Sequence, residues 1–140
     1  MALQNQLGKS DSGLGNIVLG TFQSLSILSG PILAAQILPV ADAGLIPTET
    51  AANDSYGNRS RLTFGDVIFV HNTDSVSHTV TITSAPDAFG RSTNIVYTIP
   101  AGKLALLGPF QHSGWEQTDD YLHYQADSPL VTLSPISVQR

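Results

Sequence analysis

From Arg61 to Phe110 the chain alternates short β-rich runs with clusters of turn residues. The runs are Leu62–Phe64, Val67–His71, His78–Thr83, Ile95–Ile99 and Lys103–Leu107. In His78–Thr83, Val80 and Ile82 share a face with His78, and Thr79, Thr81 and Thr83 take the other. That period of two marks a half-buried strand. Ile95, Tyr97 and Ile99 fall on one face of the next strand, as do Leu104 and Leu106 of the one after. Val67–Val70 is apolar throughout, which predicts burial on both faces. Asn72-Thr73-Asp74-Ser75 and the Pro- and Gly-bearing stretch Ser84–Asn94 supply the breaks. Ile99-Pro100-Ala101-Gly102 fits a type I turn with Pro second and Gly fourth.

Downstream, Gln111–Asp120 reads as a loop. Tyr121–Gln125 and Leu130–Leu133 read as strands divided by Asp127-Ser128-Pro129, with Ile136–Val138 closing the sheet or trailing from it. Upstream, Ile32–Val40 reads as a strand near an edge, because Pro39 cannot donate to a ladder. Ala41–Ser60 reads as a long contact-making or moving loop. Six to eight short strands at this spacing predict an all-β fold, an antiparallel β-sandwich or jelly roll, over residues 31–140.

Residues 1–30 read as an N-terminal arm ahead of that body. Met1–Gly15 is polar. Asn16–Leu28 is apolar, with Leu14, Val18, Phe22 and Leu25 at helical steps and Leu25 and Ile27 at strand steps. It packs either on its own domain or on a neighbouring subunit. Burying Ile17, Val18, Leu19, Phe22, Leu25, Ile27 and Leu28 would yield about 10–20 kcal/mol at ~1.5–3 per side chain, given a groove to receive them. Leu14, those seven residues and Trp115 are the candidate interface. The apolar zone is interrupted by Gln23, Gln36 and Gly30-Pro31, which argues against a membrane span. The first residues lack the pattern of a secretory signal.

The 140-residue chain suits one domain plus a tail. It has no cysteine, so disulfides and thiolate chemistry are excluded. Charged residues make up 12%, well below the usual quarter or so, as suits a surface partly covered by partners. Net charge is −5, and acidic residues outnumber basic ones both in residues 1–50 and in residues 51–140. Neither nucleic acid nor an anionic membrane is therefore an expected partner.

The residues name no reaction. His71, His78, His112 and His123 lie on different elements without tight ligand spacing, so neither a metal nor another cofactor is expected. Glu116, Asp119 and Asp120 read as a solvated acidic turn, because glycosidase carboxyls must face each other across a cleft. No Gly-x-Ser-x-Gly elbow or phosphate-binding loop is present. Trp115, Tyr121 and Tyr124 are candidates for a sugar-stacking platform, though such aromatics more commonly anchor cores or interfaces. No enzyme activity is expected.

Val67–Asn72, then Thr79–Thr83, then Tyr97-Thr98-Ile99-Pro100-Ala101-Gly102-Lys103, then Leu107-Gly108-Pro109-Phe110 form an ordered set. The set resembles small tailed-phage virion proteins of the head decoration or capsid cement type, with similarity over roughly residues 32–133. The resemblance implies a structural scaffold without an active site, located in the virion. Its partners would be the major capsid protein, other virion proteins and further copies of itself, in a closed ring such as a trimer. The longer N-terminal segment departs from that pattern and leaves a tail or fibre-attachment role as an alternative. A carbohydrate-binding β-sandwich module is a further one.

Overall fold

The computed structural model describes residues 30–38, 44–63 and 65–138. Pro31–Arg140 forms one compact unit. Among the described residues the body is built from nine strands. They are β1 (Gln36–Leu38), β2 (Thr50–Ala51), β3 (Asn58–Arg61), β4 (Asp66–Asn72), β5 (His78–Thr83), β6 (Ile95–Ile99), β7 (Leu104–Phe110), β8 (Tyr121–Ala126) and β9 (Val131–Val138).

β4 and β9 lie at the centre of a front sheet ordered β1-β9-β4-β7, in which β2 also pairs with β9. The back sheet is ordered β3-β8-β5-β6. The two pack face to face as an all-β sandwich. Ile68 and Val70 of β4, Leu107 of β7, and Val131 and Leu133 of β9 meet Val80 and Ile82 of β5, Ile99 of β6, and Leu122 and Tyr124 of β8. Each such buried large side chain contributes about 1.5–3 kcal/mol.

The front sheet is not purely antiparallel. β1 runs parallel to β9, with Gln36 opposite Ile136 and Leu38 opposite Val138. It follows an isolated parallel bridge between Ile32 and Arg59, so the chain passes β3 before reaching β9. The Gln36 side chain extends this edge by donating to Thr48 O at 3.0 Å and accepting from Thr48 N at 2.7 Å. The part of the expected strand beyond Leu38 lies outside the described residues.

Several boundaries differ from expectation for physical reasons. The supposed long loop contains β2 and β3. Leu62 and Thr63 follow β3 rather than forming a strand. The two expected strands Leu130–Leu133 and Ile136–Val138 are one, β9, which starts at Val131 and continues through Pro135. β4 pairs with Pro135 through Ile68. On the opposite side β2 pairs only with Thr132 and Leu133, and β1 only from Ile136 onward. The proline, which has no N–H, thus sits where neither outer strand pairs with it.

The β6–β7 turn is closed by Lys103 N donating to Pro100 O at 3.1 Å, one residue later than expected. Gly102 then takes the third position with φ 66, a conformation open to glycine. In β7 an extra residue opposes the interval between Asp66 and Ile68, forming a bulge. Gly108 occupies it with φ 115, and a Cβ there would stand 3.0 Å from Asp66 O and 3.1 Å from the Phe110 ring. Beyond β7, His112–Trp115 is a single tight turn. Ser113 (φ −65, ψ 117) and Gly114 (φ 91, ψ −10) have type II geometry.

Candidate functional site

The outer face of the front sheet is more open than the sequence implies. Burial alternates along β4: Ile68 and Val70 are sealed in the core, but Val67 and Phe69 are only half-buried. The expectation that Val67–Val70 is buried on both faces is therefore corrected, because among the described residues the back sheet covers one face alone. Phe69 lies opposite Leu106, and His71 opposite Leu104. These two leucines are 63% and 58% exposed. They form an apolar stripe on β7, the outermost strand, which pairs on its far side with no strand among the described residues.

Polar groups border the stripe toward β9. Glu49 Oε1 accepts a hydrogen bond from Thr132 Oγ1 at 2.6 Å, and His71 Nδ1 stands 3.0 Å from the same oxygen. The Thr132 bond, with His71 second, holds the Glu49 carboxyl below the ordinary range. On the far outer face, Thr79, Thr81, Thr83, Asn94, Gln125 and Asp127 help line a shallow groove of about 430 Å³.

Each histidine lies beside a carboxylate. His71 faces Glu49, His112 faces Glu116 at 2.8 Å, and His123 faces Asp119 at 2.9 Å. His78 lies between two, with Nε2 2.8 Å from Asp74 Oδ2 and Nδ1 2.8 Å from Asp127 Oδ1. The Asp74 bond foremost, and then Asp127, raise its pKa against the opposing effect of burial. His78 thus ties the β4–β5 turn to the β8–β9 turn through two carboxylates. Glu116 likewise raises His112. Among the described residues no three His, Asp or Glu side chains are grouped to hold an ion.

The acidic turn is partly committed to ion pairs. Burial raises the Asp119 pKa, but hydrogen bonds from His123 and Arg59 together outweigh it, and the carboxyl is held low. The Arg59 contact is 2.7 Å.

Of the candidate interface residues, Leu14, Ile17, Val18, Leu19, Phe22, Leu25, Ile27 and Leu28 lie outside the described residues. Trp115 is half-buried and meets the Phe110 ring edge to face at 5.4 Å, packed on its own core. The three aromatics considered for sugar stacking do not form a shared exposed platform. Tyr124 is 1% exposed, and its hydroxyl makes no hydrogen bond of good geometry. Tyr121 stacks against the guanidinium groups of Arg59 and Arg61, at 5.1 and 5.2 Å. Sequence reasoning put Leu104 and Leu106 on one face without identifying that face as open. Their pairing with an apolar central strand was the available signal. Comparison with family models, curated proteins and solved structures found no match.

Proposed function

We propose that this is a structural virion protein, a decoration or cement protein whose sandwich body and N-terminal arm join a phage head lattice and neighbouring copies. The observation that carries the reading is the apolar stripe of exposed Leu104 and Leu106 beside half-buried Phe69, which no strand covers among the described residues. Exposed contiguous apolar surface of this kind favours a protein partner. A chain with only 12% charged residues provides little polar rim to keep such a face apart from others.

The resemblance at Val67–Asn72 and Tyr97–Lys103 supports the same reading. In this fold Asn72 connects those two motifs. Its amide donates to Ile99 O at 2.9 Å, Pro100 O at 3.2 Å and Val76 O at 2.8 Å. The shared residues therefore make a rigid frame. The major capsid protein is the partner that the resemblance implies. A tail or fibre-attachment role would use the same surfaces.

The experiment is binding to empty head shells assembled without this protein. The full chain is expected to co-sediment to a fixed stoichiometry and to raise the temperature at which shells rupture. Removal of residues 1–30 is expected to lower occupancy several-fold. A full chain that neither binds nor protects shells would overturn the reading.

A further inference from the structure

We propose that the groove on the outer face of the back sheet binds a neutral glycan, a polyhydroxylated chain held by Thr81, Thr83, Asn94 and Gln125. This site lies on the other sheet from the apolar stripe, and its ligand is independent of the assembly reading.

The groove follows from strand alternation. Val80 and Ile82 of β5 are sealed in the core, so Thr79, Thr81 and Thr83 stand on the opposite side. On β8, Leu122, Tyr124 and Ala126 are buried, and exposed Gln125 lies opposite Thr81. Asn94, just ahead of β6, joins the lining. Among the described residues these side chains border a space of about 430 Å³. Ligand pockets commonly hold roughly 300–1,000 Å³.

Internal hydrogen bonds fix part of the lining and leave other polar groups open. Gln125 Nε2 donates to Asp54 O at 2.7 Å, which holds the carboxamide while its oxygen has no partner among the described residues. Asn94 Oδ1 accepts from Ser84 N at 3.1 Å, and its own N–H groups have no partner among those residues. Thr79 Oγ1 donates to Asp127 Oδ2 at 3.2 Å, and the other oxygen of that carboxylate faces His78. The Thr81 and Thr83 hydroxyls make no side-chain hydrogen bond among the described residues. A Thr hydroxyl both donates and accepts, and so does a carboxamide. Sugar hydroxyls have the same double capacity, so one edge of a sugar can meet several of these groups together. Side chains that are already held lose little freedom on binding.

Charge selects among ligands. The lining carries the carboxylates of Asp54 and Asp127 and no Lys or Arg. An anionic chain would be set against like charge, which penalises it. An apolar ligand would leave the hydroxyls and amides stranded without partners. A neutral polyol avoids both costs. Trp115, Tyr121 and Tyr124 take no part in this lining.

Native electrophoresis of the full chain through gels containing dextran, galactomannan, xyloglucan or polygalacturonate tests the site. At least one of the three neutral polysaccharides is expected to retard the protein, and anionic polygalacturonate is not. Thr81→Val keeps the shape of the side chain and its preference for a strand but removes the hydroxyl. That variant and Gln125→Ala are each expected to weaken retardation several-fold while keeping the urea midpoint of the parent chain. Val76→Ser, in the β4–β5 turn, is expected to change nothing. No retardation by any neutral polysaccharide would overturn the proposal. Undiminished retardation of both groove variants would do so too, as would an equal response to polygalacturonate. Head-shell binding is read separately, so the assembly reading stands or falls on its own result.

Discussion

Asn72 is fully buried, and its single amide serves three carbonyls while its oxygen accepts from Asp74 N at 3.0 Å. Asn72→Ala leaves those groups with fewer partners, so a loss of about 2–4 kcal/mol is expected by urea unfolding. Asn72→Asp is expected to fall nearly as far, because an ionised carboxylate cannot donate. His78 carries a different signature. Its pKa is raised above 6.5 in the folded protein, chiefly by Asp74. The stabilisation is therefore complete below the unfolded value and is lost as pH rises through the folded one. Asp74 is lowered by the same bond, so its share is present above about 3.8 and lost on acidification. The urea midpoint is expected to decline above about pH 6.5, and His78→Gln is expected to flatten that part of the profile. The Gln side chain keeps a polar contact but has no proton to lose.

At the level of elements, backbone demand separates two glycines. Gly108 has φ 115 and no room for a Cβ, whereas Gly114 has φ 91 in open space. Gly108→Ala is expected to cost about 2–4 kcal/mol, strain plus collision, and Gly114→Ala only about 1, both measured by thermal unfolding. The strands legible in the sequence were those with apolar alternation. β5 and β6 matched because their inward residues are Val, Ile and Tyr. β3 was missed because Asn58 and Ser60 point inward in a segment reading Asn-Arg-Ser-Arg, which carries no hydrophobic period. β1 and β2 are three and two residues long and are held by β9, so their own sequence hardly marks them. β9 was divided at Pro135 because a gap in the ladders beside it has no sequence signature. The apolar stripe was half-legible: spacing placed Leu104 and Leu106 together, but only the strand order shows which outer face remains uncovered.

For the whole molecule, the core cluster among the described residues lies within residues 33–133. A chain comprising residues 31–140 is therefore expected to unfold cooperatively, with the near-ultraviolet circular dichroism of Trp115 retained and oligomerisation lost. A broad, non-cooperative transition would show that the leader is needed for folding itself. The unpaired place beside Pro135 has a mechanical consequence. Tension on the leader would first meet the two bonds joining Pro31 and Leu33 to Arg59, then the three residues of β1. β2 grips β9 on the other side of that gap and would still hold. Releasing residues 31–49 would free a segment roughly 65 Å long when extended, at ~3.4 Å per residue, while the sandwich stayed shut. Anything pulling on the leader would thus lengthen an extensible tether before it opened the sandwich.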